Sequence, residues 1–424
     1  MEMEEQQASK TTFQNYLLLW IGQNFSYLGS AIVAFIIILQ LAGGANSVLS
    51  IAAILSFAPS ILFGAIAGVF ADRLNKKIII IITDSLQALA TLVLIILYYT
   101  VIVQIWQIYV ILAFRGICQA FHGPVVSALT PLMVPKEKLS RMNGIGYLLS
   151  SFIGIVGPVV GVSILLVLDV REALWIDIIS YILAMIPLFF VRIPKVNHTE
   201  ESKKNSFFMD LKEGFSILGT IPGLISLMTL AMIINMLLQP IDVLFPNYIL
   251  VEFGKSQQIL GFVSASFPLG ILVGSLITSI KKKWKHKSKW IFVGLNVVYV
   301  CYGLMVLPKL LPDVFFNLIY VLLVLMAIFI PIANVLLITS IQMVVPPEKY
   351  GRIASLLMVF SSIASPIGMI ASGYIADALA PVSGPMGGIG FLYLLSAMIG
   401  LFINIFSWIF SDWRKIGSEK DLKK

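Results

Sequence analysis

The chain has 424 residues, 59% of them hydrophobic and 12% charged, and its mean hydropathy is +0.97. A soluble globule of that length needs more polar surface than this, so lipid must solvate the chain. The formal net charge of +8 would suit nucleic acid, but the placement of the basic residues assigns it to membrane topology and excludes a nucleic-acid partner.

In chain order, apolar runs of helical length fall at 14–40, 47–70, 78–99, 105–130, 144–168, 173–191, 221–250, 258–280, 290–308, 314–340, 353–377 and 388–411. An apolar helix of roughly 20 residues crosses a hydrocarbon core. The ten-residue alternation of a closed barrel is not visible. The fold class is therefore all-α and polytopic, with twelve transmembrane helices. The first run follows an acidic start (Glu2, Glu4, Glu5) and lacks a small-residue cleavage site, so it reads as a retained span. With the N-terminus inside, the cytoplasmic connections hold all but four of the 29 basic residues; Arg171, Lys255 and Lys309 fall outside and Arg115 lies within a span. That asymmetry places both termini in the cytoplasm, with the plasma membrane as the expected location.

The chain repeats itself. VPKEKLSRM at Val134–Met142 matches VPPEKYGRI at Val345–Ile353, an offset of 211 residues. At the same offset Asn24 meets Asn235 and Gly157 meets Gly368, and the charged turn Arg73–Lys77 meets the basic run KKKWKHKSKW at Lys281–Trp290. Two parallel six-helix bundles follow, at 1–191 and 220–424. The polar stretch 192–219 links them, and its part Phe207–Leu218 reads as an amphipathic surface helix. Parallel halves are one architecture of secondary transporters, with the substrate site near the midplane.

Polar groups within spans are costly, so the few present should face an interior. Arg115, Gln119 and His122 in the fourth span are spaced i, i+4, i+7 on one helical face, and Asn235, Gln239 and Asp242 repeat that spacing in the seventh. Each stripe lines a cavity or makes a polar contact between helices. Pro240 and Pro246 bracket Asp242 and should kink or break its helix. That carboxylate titrates during transport or accepts a nearby donor. Asp84 and Gln87 share a face of the third span. Asp84 pairs with Arg115 or a neighbouring helix, with a proton-carrying role as the second reading. The first span offers Gln23, Ser26 and Ser30 on one face with Asn24 beside them, and Asn334 joins the candidate lining. Asp177 and Asp377 read as ordinary boundary residues.

Gly154, Gly157, Pro158 and Gly161, in GIVGPVVG, put small residues and a kink on one close-packing face, suited to helices that slide or hinge. There is no nucleotide-binding loop and no catalytic constellation. His122, His198 and His286 are scattered, and Cys118 and Cys301 fall inside spans, so neither an enzyme, a cofactor, a metal site nor a disulfide is expected.

The stretch GVFADRLNKK, Gly68 to Lys77, resembles the signature loop between the second and third helices of the major facilitator superfamily: Gly68, Asp72, Arg73, Lys76 and Lys77, with Asn75 where the family usually has glycine. Asn tolerates the left-handed conformation better than most residues. Arg115 resembles the family's fourth-helix arginine, and Gly154 to Gly161 its fifth-helix antiporter motif. Within the superfamily, Phe114–Gly144, Arg192–Lys195 and Gln239–Pro246 are similar to the bacterial macrolide-efflux proteins and their relatives. The resemblance implies proton antiport with alternating access, and a gate in which Asp72 pairs near Arg352 in one state and releases it in the other. The resulting expectation is a monomeric exporter of an amphipathic, hydrophobic small molecule, with protons and membrane lipid as its other partners. The alternatives are a lysophospholipid flippase or a siderophore exporter. Its substrate cavity would be lined by Gln23, Asn24, Arg115, Gln119, Asn235, Gln239 and Asn334, with Asp242 or Asp84 coupling protons.

Overall fold

The computed structural model describes residues 10–100, 103–191, 193–194, 223–281, 284–344, 356 and 360–415. In its first half, α1 (Lys10–Leu41), α2 (Asn46–Arg73), α3 (Lys76–Thr100), α4 (Ile105–Met133) and α5 (Lys136–Ile164) are followed by a helical turn at Val170–Ala173 and α6 (Trp175–Phe190). The second half has α7 (Leu224–Asn247), α8 (Gln257–Ser264), α9 (Ser266–Ile280), α10 (Lys287–Leu304), α11 (Leu318–Val344), α12 (Ser365–Leu379) and α13 (Gly388–Phe410). Among the described residues, 11 helices are long and apolar enough to cross a membrane. Of the span expected at 353–377, residues 356 and 360–363 and α12 as far as Asp377 are described as helical. The expected amphipathic segment at Phe207–Leu218, and Arg352, lie outside the described residues.

Three local expectations change. Residues 136–143, read as part of a polar connection, form the first two turns of α5, where Pro135 precedes the helix and Glu137 lies in its first turn. The seventh span is not broken at Pro240; α7 runs through it to Asn247 and loosens only afterwards, into a π-helical turn at Tyr248–Glu252. Pro240 removes the donor that would cap the Met236 carbonyl. Gly368 of α12 meets that turn, where an added Cβ would lie 2.5 Å from the Met236 oxygen. Conversely, the eighth span is interrupted where no break was expected, with α8 and α9 separated at Ala265.

The described contacts divide the chain into two units. One comprises Met1–Leu41, Ile51–Asn197 and Gln257–Ala265; the other comprises Ala42–Ser50, His198–Ser256 and Ser266–Lys424. In the first unit, α6 shows how the sequence sorts its faces. Ile179, Ile182, Ile186 and Phe189 are exposed, as lipid-facing side chains should be, while Asp177, Ser180, Ala184 and Leu188 are buried. The glycine motif of α5 does pack closely: Gly157 lies on Ala31 and Gly161 on Ile32 and Phe35, all of α1. On another side α5 meets α8, where a Cβ at Gly261 would stand 2.5 Å from Val162 and 3.1 Å from the Pro158 carbonyl. Gly154 sits half-buried one turn earlier.

In the second unit, Gly270 and Gly274 of α9 bring that helix onto α11 at Val324, Ala327 and Ile328. The first turn of α2 is also held in this unit. Asp377 of α12 accepts hydrogen bonds from the Asn46 amide at 3.1 Å, the Asn46 side chain at 2.9 Å and the Ser47 amide at 3.1 Å. Asn247 accepts from the Gly43 amide at 2.8 Å and donates to the Gly44 carbonyl and the Asn46 side chain. Asp377 is thus the N-terminal anion of α2 and not an ordinary boundary residue.

A charge-lined cavity in the first unit

The turn between α2 and α3 ties together one end of the first unit. Asn75 does not take a left-handed conformation; its carbonyl accepts from the amides of Ile78 and Ile79, and its side chain accepts from the Lys77 amide at 3.0 Å. It is the N-cap of α3, a role Asn fills well and one that explains its place in the loop. The Lys77 ammonium donates to the carbonyls of Phe189 and Val191, each at 2.9 Å, and so binds the C-terminal end of α6. Lys76 opens α3. Asp72 and Arg73 occupy the last turn of α2, and their side chains lie outside the described residues.

Within the bundle, α1, α3, α4 and α6 surround a cavity of about 360 Å³. Its wall includes Gln23, Ser26 and Ser30 from α1, Asp84 and Gln87 from α3, Arg115, Gln119 and His122 from α4, and Asp177 and Tyr181 from α6. All three stripes expected from helical spacing in these spans therefore face it. A second cavity of about 630 Å³, lined also by Asn24 and Tyr147, shares Gln23, Tyr27, Gln119 and His122 with the first.

Two hydrogen-bonded clusters hold the charges. The Asp177 carboxylate receives Arg115 Nη1 at 2.5 Å, Thr91 Oγ1 at 2.5 Å and Ser30 Oγ at 2.6 Å, and Arg115 also donates to Thr91. Four helices thus converge on a side chain that the sequence placed at the membrane boundary. Asp177 is only 3% exposed, because its position early in α6 fixes its depth and not the face it occupies. A carboxylate buried this way stays in place because the guanidinium and two hydroxyls satisfy it together.

The second cluster joins Asp84, His122 and Gln23. His122 Nε2 lies 3.0 Å from Asp84 Oδ1 and 3.0 Å from Gln23 Oε1, and Gln23 Nε2 donates to Asp84 Oδ2 at 3.1 Å. Asp84 therefore pairs with His122, not with Arg115, whose charge Asp177 already neutralises. His122 carried no role in the sequence reading beyond its place on the α4 face.

The second-half candidates do not share one surface. Asn235 and Asn334 line a gap of about 80 Å³ with Ile234, Leu295, Ile330 and Ala333. Gln239 is buried, donates to the Asn235 carbonyl at 3.2 Å and packs its stem against Gly368. Asp242 is exposed on α7. Asn24 and Asn235, repeat equivalents, make the same local bond, each amide donating four residues back to the carbonyl of Trp20 or Ala231.

Lipid-facing helices enclosing a cavity with a charged, hydrogen-bonded wall are the arrangement of a polytopic membrane transporter. The chain belongs to the Major Facilitator Superfamily, whose model matches residues 19–313 and 241–415. It is 29% identical over 403 residues to macrolide efflux protein A of Streptococcus pyogenes, covering 95% of this chain and 97% of that relative. It is 23% identical over 366 residues to the multidrug efflux pump Tap of Mycolicibacterium fortuitum, covering 82% and 86%. The fold is similar to that of a D-xylose–proton symporter, with a TM-score of 0.73 at 12% identity over 96% of this chain and 100% of that one. A bacterial homologue of the human lysosomal transporter Spinster, in its inward-facing, unoccupied form, gives a TM-score of 0.69 at 15% identity over 98% of each chain.

Proposed function

We propose that the protein exports an amphipathic, largely apolar small molecule across the plasma membrane in exchange for protons, by alternating access, as a monomer with both termini cytoplasmic. The observation that carries this reading is the Asp84–His122 pair in the wall of the first-unit cavity. A buried carboxylate beside an imidazole can gain and lose a proton as its surroundings change. With Arg115 and Asp177 cancelling each other, a neutral His122 leaves the cavity with the charge of Asp84. A protonated His122 removes it. The cavity thus has two charge states one proton apart, which an antiporter needs. The similarity to macrolide efflux protein A and to Tap supports export and a hydrophobic cargo.

A lysophospholipid flippase needs a cation for the phosphate headgroup, and Arg115 is a cation in the wall of the first-unit cavity. Its ion pair with Asp177 leaves it poorly placed to hold a phosphate. Among the proton candidates, Asp84 has an imidazole partner and lines a cavity, whereas Asp242 is exposed and pairs with no imidazole among the described residues. The gate assigned to Asp72, Arg73, Lys76, Lys77 and Arg352 is retained as part of the proposal, with Lys77 anchoring α3 to α6 in one of its states. A proton falling through 100 mV supplies about 2.3 kcal/mol, which sustains roughly a fiftyfold concentration ratio.

Uptake of a panel of macrolides, cationic dyes and lysolipids into inside-out vesicles under an imposed pH gradient tests the reading. Wild-type vesicles accumulate at least one non-lipid compound. Asp84→Asn loses the gradient-driven part at least tenfold, and Asp242→Asn keeps most of it. Undiminished driven uptake by Asp84→Asn would overturn the assignment of the proton to this pair.

A further inference from the structure

Gln23 closes a ring of contacts that its role as a wall residue does not require. Its amide nitrogen donates to Asp84 Oδ2 while its oxygen faces His122 Nε2, and the same Nε2 faces Asp84 Oδ1. Gln23 Oε1 and an ionised Oδ1 are both acceptors, so the nitrogen between them must carry a hydrogen. That fixes His122 as the Nε2–H form and leaves Nδ1 as its open basic site; Nδ1 makes no hydrogen bond to a described residue.

The two places an incoming proton can go then have different consequences. A proton on Nδ1 gives an imidazolium that keeps every contact in the ring. A proton on Oδ2 meets the donor face of the Gln23 amide and breaks that bond unless the amide turns over. Turning it over would present its NH₂ to the Nε2–H, donor against donor. A proton on Oδ1 requires Nε2 to accept, which strips Gln23 Oε1 of its donor. Only the imidazolium is compatible with all three contacts.

We infer that Gln23 is the positioning residue of the coupling pair: it holds Asp84 ionised and directs the transported proton to Nδ1 of His122. The inference rests on the proposed role of Asp84 and His122 in coupling. Gln23 also lines both first-unit cavities, so cargo that competes for its amide disturbs the ring. The groups facing this ring are Tyr16 and Tyr27 on α1, Arg115 and Cys118 on α4, Tyr147 on α5, and Asp177 and Tyr181 on α6. Arg115 and Asp177 are bound to each other, which leaves Asp84 and His122 as the pair that changes charge.

Infrared difference spectra of the full-length protein in vesicles, taken between about pH 8 and pH 5 where imidazoles ordinarily gain a proton, test where the proton sits. In wild type, no protonated-carboxyl band is removed by Asp84→Asn, and the imidazole signal of labelled His122 changes. In Gln23→Met, which keeps the length and loses both hydrogen bonds, a carboxyl band appears that Asp84→Asn removes, and the His122 change falls at least twofold. Loss of two bonds to a charged pair shifts the proton distribution by on the order of tenfold or more. A wild-type band that Asp84→Asn removes would overturn the inference, as would a Gln23→Met spectrum unchanged from wild type. Circular dichroism and elution as a single species establish that Gln23→Met is folded. The spectra read proton position and not transport, so a failed antiport assay refutes the proposed function without deciding this one.

Discussion

Arg115 was recognisable from the sequence, since a lone cation in an apolar run has to face inward, and so were Gln119 and His122, which follow it at helical spacing. Their partners were not. Which carboxylate meets which cation depends on how four helices are rotated against one another, and periodicity within a single helix holds no information about its neighbours. Hence Asp84 was offered to Arg115 and Asp177 was left at the boundary, when the structure reverses the two assignments. The energetic consequence is testable. Asp177→Ala strands a buried guanidinium and should cost about 3–5 kcal/mol, seen as a lower unfolding temperature in detergent and poor recovery from membranes. The double variant Arg115→Met with Asp177→Leu removes both charges and should regain most of that loss, because an apolar pair of similar size needs no compensation. Equal loss in the single and double variants would show that the pair is not what holds α4 to α6.

Helix existence was legible from hydropathy, and helix ends were less so. Residues 136–143 look like a loop by charge yet continue α5, since charged side chains at a helix end reach water without breaking it. The break at Ala265 lies three residues before Pro268, which lacks the amide that would cap the Ser264 carbonyl at the end of α8. Two repeat-equivalent contacts show how close helix packing is achieved. Ser50 of α2 lies against Gly373 of α12, and at the same offset Gly261 of α8 lies against Val162 of α5, so the small residue has changed sides between the halves. Gly261→Val should overpack α8 on α5 by about 1–3 kcal/mol, and Val162→Gly in the same chain should relieve it. A double variant no more stable than Gly261→Val would mean that the contact is not tight. The polar counterpart is Asp377, which caps the first turn of α2. Asp377→Ala should cost about 1–2 kcal/mol and raise amide exchange at 46–49 at least tenfold while the middle of α2 stays protected. Unchanged exchange would remove Asp377 from that role.

Across the whole chain, the repeat was legible from a handful of matched residues, and the structure shows what the halves do differently with it. Gln23, Asn24, Asp84, Gln87, Gln119, His122 and Gly123 line the first-unit cavities. Their counterparts 211 positions on are Ile234, Asn235, Leu295, Val298, Ile330, Ala333 and Asn334, and all line the small second-unit gap. The equivalent positions thus form a polar pocket in one half and a mostly apolar one in the other, and Gln239 and Asp242 lie at positions equivalent to neither Gln119 nor His122. If the pockets are equivalent, the chemistry of the first should be transferable. Leu295→Asp alone puts an unpaired carboxylate into an apolar gap, a burden of about 2.5–3.5 kcal/mol on insertion scales, and should sharply reduce the amount of folded protein recovered from membranes. Adding Ala333→His supplies the partner that His122 gives Asp84, and Ile234→Gln completes the ring. Recovery should rise with each addition if the second half still holds the geometry of the first. No gain from the histidine would show that the two halves share a sequence ancestry but no longer a pocket.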